Sequence, residues 1–436
     1  MKSHEEKISE IIRQLQQSQG NEAISFKKKA VSHEVPKLKD KRHSDAKIDL
    51  TSLNDILLID QEKLICVAEP GVTFEDLVKA TIKYGLVPVI VPELKTITIG
   101  GAVAGCSIES MSYKHGGFHD ACLEYEVITA KGKVLTCTPE NENSMVFQMV
   151  HGTFGTLGII SKLTFRLIPA RPFVKVVYEK FTDLVEYKKA IWRQYTTRDA
   201  DFMDGIIHSQ TEYVLSLGYF TNNAPYLHKY DWLGIYYKRT ASRKEDYLRT
   251  PDYFFRYDQG VTNVTPKSFI GRLLFGKFIN SSNTLKFVEK FRRIIPPDQI
   301  PLTVDVFIPF SKVTEFMEWY RAKIGHFPLW CVPYKLGRKY EWISEDLLDL
   351  TNDELFLDLA IYGMKRPKDK NVYRLLEEEL MRIGGIKTLI SENYYSEEEF
   401  WQSWNRSNFQ KVKQMTDPGN LFRDLFEKTC KAMMGV

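Results

Sequence analysis

Residues 96–110 read TITIGGAVAGCSIES, with Gly100, Gly101 and Gly105 set among small apolar side chains. Backbone without side chains can turn several N–H groups toward one point and let a phosphate approach closely. Thr98, Ser107 and Ser110 add hydroxyl donors, while Ile99, Val103 and Ile108 can anchor the run against a sheet. The chemistry on offer is the holding of a diphosphate with few cations. Paired glycines serve equally for tight helix–sheet packing, and this motif alone does not separate the two. Lys114, His115, Gly116 and Gly117 follow at once, and a second glycine-rich stretch, HGTFGTLG at residues 151–158, comes after an intervening pair of strands. Its bare glycines suit a flat ring or a ribose.

The elements that position these loops follow from hydrophobic period. Residues 1–19 have Ile8, Ile11, Ile12 and Leu15 at helical spacing. Strands are expected over 55–60, 64–69, 86–91, 123–130, 134–138 and 159–168, with helices over 74–84 (capped by Thr73 and ended by Gly85) and 143–151. From residue 173 the pattern changes to strands over 174–178, 213–219, 303–308 and 355–362, alternating with amphipathic helices over 183–195, 312–324 and 370–383. This reads as one mixed sheet covered by helices, in a separate domain. Residues 226–283, dense in aromatic and basic side chains, read as a lid or a membrane-facing insertion. The last stretch is helical, with a turn at Asp417-Pro418-Gly419.

Composition narrows the classes. The 436-residue chain is long enough for two or three domains, and its 43% hydrophobic and 27% charged residues exclude a disordered protein. A net charge of +4 lacks the concentrated basic face that nucleic acid requires. Lysine-rich residues 26–29 and 37–42 read as solvated surface. Six cysteines without CxxC spacing exclude the usual zinc and iron–sulfur signatures, so no metal is expected, and they point to reduced thiols in a cytosol-like compartment. The N-terminus has no apolar leader, and no run approaches the roughly 18 apolar residues of a membrane span. The expectation is a cytoplasmic protein, at most peripheral to a membrane.

Three segments, GGAVAG (100–105), HGGFHDACLEYEVITAKGKVL (115–135) and HGTFGTLGIISKLTFRLIPA (151–170), carry a resemblance in this order. Together they are similar to the FAD domain of the vanillyl-alcohol oxidase/p-cresol methylhydroxylase (PCMH-type) superfamily, and within it to the Diminuto-type Δ24-sterol reductases. Residues 92–118, CTP at 137–139, FPLWCVP at 327–333, IYG at 361–363 and SEEEFW at 396–401 resemble further pieces of those enzymes in the same order. The likeness runs from about residue 49 onward. It implies an α+β fold: a two-subdomain PCMH-type FAD-binding domain over 1–172 and a mixed-sheet α+β substrate (cap) domain over 173–395. A helical segment over 396–436 would pack back on the FAD domain.

The resemblance also implies FAD contacts at Thr98, Ile99, Gly100, Gly101, Ala102, Val103, Ala104, Gly105, Cys106, Ser107, Ile108, Glu109 and Ser110. Gly155, Thr156 and Gly158 are implied near the flavin or its ribityl chain. Three departures stand out. The lysine-rich stretch 26–47 lacks the superfamily's first glycine-rich loop and its histidine, so FAD is expected to be non-covalent. Ser107 stands where the sterol reductases tend to have glycine, and the N-terminal membrane segment of the eukaryotic enzymes is missing.

The activity implied is transfer of hydride from NADPH through FAD to a C=C bond of a sterol or isoprenoid-like substrate, with no separate dinucleotide fingerprint for NADPH. The alternative is an oxidase or dehydrogenase of an alcohol, sugar or hydroxy acid, and a third reading is a protein that has lost FAD. Tyr362 and Tyr394 are the candidate catalytic proton donors. Lys114 and Gly116, with His115 and His119, are candidates beside the cofactor, Lys114 and the histidines as partners for a reduced, anionic flavin. His119 and Asp120 read as a surface pair or an oriented base. Cys106 reads as packing and not as a covalent link. Trp330, Trp401 and Trp404 are candidates for an isoprenoid slot, and Arg256 with Asp258 for an ion pair. Oligomeric state is not legible.

Overall fold

The computed structural model describes residues 2–18, 20, 23–30, 44–231, 234–258, 301–350 and 352–431. Helix α1 (His4–Gln17) opens on a capping box between Ser3 and Glu6 and buries Ile8, Ile11 and Leu15, as its spacing requires. A parallel pair follows, β1 (Ile24–Lys27) with β2 (Ala46–Asp49). Strands β3 (Ile56–Asp60) and β4 (Ile65–Ala68) then lead to helix α2 (Phe74–Thr81), whose first turn is capped by the Thr73 side chain. A single 3-10 turn extends α2 to Tyr84, and Gly85 ends it with φ of 67°. Strand β5 (Leu86–Pro88) is shorter than its apolar run suggested, because Pro88 has no N–H to continue a ladder.

Helix α3 (Ile99–Ala104) precedes β6 (Cys122–Ile128) and β7 (Val134–Cys137), a hairpin turning at Gly132, and the long strand β8 (Ile159–Pro169). These strands form a six-stranded antiparallel sheet in the order β3-β4-β8-β6-β7, with β5 on the end of β8.

The remaining strands are β9 (Phe173–Phe181), β10 (Phe202–Ser209), β11 (Glu212–Thr221), β12 (Glu245–Arg249), β13 (Leu302–Pro309), β14 (Leu329–Lys335), β15 (Leu355–Met364) and β16 (Ile386–Lys387). They form an eight-stranded sheet in the order β12-β9-β11-β10-β14-β15-β13-β16. Every pairing in it is antiparallel, which corrects the expected mixed sheet. The helix Leu184–Thr197 does carry the chain from β9 to the co-directional β10, but β11 folds back between them as a hairpin and pairs with both.

Period-two alternation assigns the two faces of this sheet. Val304, Val306 and Ile308 of β13 and Leu357, Leu359 and Ile361 of β15 pack under the helices Leu184–Thr197, Val313–Lys323 and Val372–Ile383. The intervening residues, Asp305 and Phe307 on one strand and Phe356, Asp358 and Tyr362 on the other, look the opposite way, toward the six-stranded sheet. Each fully buried Leu, Ile or Val of the helix-side layer contributes roughly 1.5–3 kcal/mol, so a register slip that exchanged the faces would be very costly.

Both ends of the described chain close over the six-stranded sheet. The His4 ring bridges Glu69 and Glu126 at 2.8 Å each, and Lys7 Nζ lies 2.8 Å from Glu69 and 2.6 Å from Asp55. From the far end, the Ile24 N–H donates to the Leu421 carbonyl, the Ala130 N–H to Thr416, and Lys413 Nζ to the Thr156 carbonyl at 2.9 Å. Among the described residues, no helix is long and apolar enough to cross a membrane. Much of the aromatic and basic stretch 226–283 lies outside the described residues, as do lysines 37–42.

A buried ion pair joins the two sheets. Arg256, 2% exposed, lies 3.0 Å from Asp204 of β10 and 3.3 Å from Glu109, which follows the glycine run. Its guanidinium sits 4.0 Å from the Tyr253 ring and 4.7 Å from that of Tyr257, whose hydroxyl donates to Asp204 at 2.5 Å. The expected Arg256–Asp258 pair is therefore corrected: Asp258 accepts instead from the Lys95 N–H at 3.4 Å. Arg256 is engaged instead by the carboxylates of Glu109 and Asp204. Removing the cation strands two buried carboxylates, so Arg256→Ala is expected to lower unfolding free energy by about 3–5 kcal/mol, read from the denaturant midpoint.

A glycine slot, an acidic chamber and an apolar chamber

The glycine run is not the open loop its composition suggested. Ile99–Ala104 forms helix α3, capped by Thr98, whose hydroxyl accepts the Gly101 N–H at 3.2 Å. Its two leading glycines do different work. A Cβ on Gly100 would stand 2.5 Å from Pro70 Cβ, so Gly100 is where the helix presses against the segment after β4. A Cβ on Gly101 would meet only the Thr98 hydroxyl, at 3.1 Å, and otherwise project into open space. The packing and ligand readings of the motif thus each hold, one glycine apart.

Three cavities meet at this helix. A slot of ≈ 100 Å³ runs between Pro70, Gly100 and Gly101 on one side and Gly155, Gly158 and Phe26 on the other. Gly155 has φ of 73°, and a Cβ there would lie 2.8 Å from the Phe26 ring, so both backbone and space demand glycine. The slot opens past Thr98, Gly101, Ala104 and Lys28 into a chamber of ≈ 180 Å³ that also touches Glu93, Trp330, Asp305, Asp358, Tyr362 and Thr388. Gly105, Cys106, Ile108 and Phe307 border this chamber and a third of ≈ 290 Å³, whose walls include Tyr334, Leu336, Trp342, Ile343, Leu347 and Phe356. Phe154 borders all three.

The residues present fit a dinucleotide carrying a planar ring. Side-chain-free and small residues line the slot, and the strip Gly105–Ile108 faces the sheet where two chambers join. Two buried oxygens along the middle chamber, Asp358 Oδ1 and Thr388 Oγ1, have no hydrogen-bond partner among the described residues. Buried polar atoms of this kind call for an exogenous partner.

The expected site residues divide by geometry. Thr98, Gly100, Gly101, Ala104, Gly105, Cys106, Ser107, Ile108, Gly155 and Gly158 line one or more cavities. Ile99, Ala102 and Val103 instead turn inward to the core. Glu109 is taken by Arg256, and the Ser110 carbonyl accepts the Met203 N–H of β10 at 2.7 Å. Lys114 Nζ lies 5.6 Å over the Tyr113 ring, Gly116 packs on the Asp120 carboxyl, and the Thr156 hydroxyl donates to the Thr153 carbonyl. None of these eight borders the three cavities.

Cys106 has its thiol pushed well up by burial, which leaves no thiolate to bond a flavin. Tyr362 faces the middle chamber, but Tyr394 stands on the helix side of the sheet, stacked with Tyr373 and donating to Glu392 at 2.9 Å. Trp330 and Trp404 border chambers, whereas Trp401 packs edge-on against Phe400 and tilted against Phe409 beside a surface depression.

His119 corrects the surface-pair reading. It is buried at the wall of the apolar chamber, 3.4 Å from Asp120, and burial lowers its pKa, leaving a neutral ring. Asp120 itself is tied down by the Gly117 N–H at 2.8 Å and the Tyr340 hydroxyl at 2.6 Å. His115 is lowered to about 4, by burial first and then by Lys114.

Sequence reading missed Glu93, Asp305, Asp358, Thr388 and Phe154. A signal existed for two of them: Asp305 and Asp358 are each the lone acidic residue in an otherwise apolar strand. The Glu93 carboxyl is pushed up from 4.5 to about 8 by burial, with Glu109 and Asp305 adding to it. Native protein therefore holds this proton more tightly than unfolded chain, and its stability declines as pH rises from 4.5 to about 8. In Glu93→Gln that decline is expected to shrink, measured as a smaller drop in Tm across the same interval.

Residues 4–138 match the FAD binding domain family. Over 98% of its length the chain is 27% identical to Delta(24)-sterol reductase of Homo sapiens, covering 87% of that protein. It is 23% identical to Delta(24)-sterol reductase of Pisum sativum, with 99% of this chain and 84% of the relative aligned. Cytokinin dehydrogenase 9 of Oryza sativa is 24% identical over 80% of this chain and 70% of its own. With the glycine slot and its adjoining chambers, these likenesses establish the chain as an FAD-linked oxidoreductase with a PCMH-type FAD-binding domain, related to the Delta(24)-sterol reductases.

Proposed function

We propose that the protein reduces the C=C bond of a sterol or isoprenoid-like substrate, with NADPH as the reductant and FAD held non-covalently. The observation that carries this reading is the continuity of the glycine slot with a large chamber walled by Tyr334, Leu336, Trp342, Ile343, Leu347 and Phe356. An apolar hydrocarbon gains from such walls, at roughly 25 cal/mol per Å² buried, whereas a sugar would lose hydrogen bonds to water there.

Thr98, Gly100, Gly101, Ala104, Gly155 and Gly158 would hold the diphosphate and ribose portion. Gly105, Cys106, Ser107 and Ile108 would support the ring, with Phe154 as a shared wall. Bound FAD supplies two-electron hydride chemistry. The chain's own part is to exclude water from the apolar chamber, fix the alkene against the Gly105–Ile108 strip, and hold a proton on the middle chamber's acids. The domain division expected from sequence, 1–172, 173–395 and 396–436, is retained as part of this reading. So is a FAD role for the inward-facing members of the run, through the backbone groups they contribute.

The alternative, oxidation of an alcohol, needs a general base beside the ring. Carboxyls kept neutral by burial, as Glu93 is at neutral pH, suit an acid better than a base.

Purified protein is expected to be yellow, to bleach anaerobically with NADPH, and to recolour on adding an unsaturated sterol or isoprenoid, while alcohols and sugars leave the oxidised spectrum unchanged. Colourless protein that takes up no added flavin, or bleaching by an alcohol, would overturn the reading. Gly101→Leu fills the slot without burying a new clash in the core. It is expected to keep a wild-type Tm while flavin content falls by about tenfold or more, the equivalent of ~1.4 kcal/mol of lost binding.

A further inference from the structure

The two strands that wall the middle chamber set three ionisable groups against one another. In the β13–β15 ladder Asp305 pairs with Ala360 and Phe307 with Asp358, so the two aspartates are diagonal neighbours on the chamber face. Tyr362, two residues beyond Ala360, donates to Asp305 at 2.5 Å. Glu93 faces them from the segment after β5, Lys28 from the segment after β1, and Thr388 from beyond β16. Arg256 is near enough to Glu93 to favour its charged form, but is engaged by Asp204 and Glu109.

Carboxyls crowded into a dry chamber cannot all ionise. Burial, then Asp305 and Glu93, push Asp358 well above the usual carboxyl range, while Asp305 beside Tyr362 rises only to about 6. An independent feature singles out Asp358. The residue is 3% exposed, it borders the chamber, and its Oδ1 has no hydrogen-bond partner among the described residues.

The reaction proposed above sets the requirement. An unactivated alkene carbon is a very weak base, so its proton must come from a group much more acidic than a phenol, yet still protonated near neutral pH. Tyr362 fails on both counts: its hydroxyl is pushed further up by burial and its proton is committed to Asp305. A buried carboxylic acid with one oxygen that no described residue hydrogen-bonds meets both.

Resting on that reading, we propose that Asp358 is the catalytic acid of the alkene reduction, and that the Tyr362–Asp305 pair positions and tunes it. The alkene π pair forms a C–H bond with the Asp358 proton as the O–H bond breaks. The other carbon receives a hydride, with both its electrons, from the nicotinamide-derived reducing equivalents. Asp358 is left as a carboxylate and regains its proton from water by way of Glu93. The alkene is reduced and the nicotinamide oxidised. No other reactant is needed.

The test compares flavin-loaded wild type with Asp358→Asn and Asp358→Glu. Infrared difference spectra of the wild type at neutral pH are expected to hold a protonated-carboxyl carbonyl band that shifts in D2O and is lost in D358N. NADPH should bleach the D358N flavin at the wild-type rate, while alkene turnover falls by about 10²–10⁴-fold and is partly rescued in D358E. Tyr362→Phe removes the hydrogen bond that keeps Asp305 ionised, which relieves repulsion on Asp358. The basic limb of the kcat profile should then move to lower pH, a shift that a purely structural tyrosine would not give. An unchanged infrared band in D358N, or alkene turnover at the wild-type rate, overturns the assignment. A wild type that NADPH bleaches but that reduces no alkene overturns the reductase reading, and this role with it, even where the band is lost.

Discussion

The contact between Arg256 and the carboxylates of Glu109 and Asp204 is the constraint on which the rest of the structure turns. It ties the end of the glycine run to the centre of the eight-stranded sheet, in a place buried from solvent. The adjoining hydrogen bond from Met203 N–H to the Ser110 carbonyl fixes the same junction through the backbone. With one end of residues 98–110 capped by Thr98 and the other held this way, the strip Gly105–Ile108 has little freedom. The gap between the sheets, and so the chamber width, is set by a charge pair instead of by soft side-chain packing.

The second determinant is strand alternation. Because β13 and β15 send their apolar residues under helices, whatever stands at the alternate positions must face the six-stranded sheet. Asp305, Phe307, Phe356, Asp358 and Tyr362 occupy those positions. A short change in their order separates an acidic chamber from an apolar one along the same sheet face. Hydrocarbon binding and acid chemistry can therefore sit side by side without a dedicated loop, on elements too rigid to drift by the ångström that would matter.

Much of this was legible. Thr73, Gly85, the hairpin at Gly132 and the helix-spaced isoleucines of α1 are local signals, decided by residues within a few positions of each other. The glycine run was recognisable as a site, but Gly100 and Gly101 could be given separate roles only once Pro70 was known to lie against the first. Sheet direction was misread as mixed because the hairpin β10–β11 inserts β11 between β9 and β10, a long-range arrangement that alternating helices and strands do not reveal. Tyr362 and Tyr394 look equivalent in sequence, and only the sheet face on which each stands separates them. His119 beside Asp120 carried a surface signature, yet the fold covers it with Tyr340 and Trp342. Phe154 lay inside the second glycine-rich stretch but could not be singled out there, since its position depends on where three separate segments converge.

The strap formed by residues 413–422 makes the slot a composite of distant parts of the chain. Lys413 holds the carbonyl of Thr156, and Leu421 accepts the N–H of Ile24, so the wall behind the Gly155–Gly158 side of the slot is backed by a segment far along the chain. Local opening of that strap would loosen the slot from behind without breaking a ladder hydrogen bond in either large sheet.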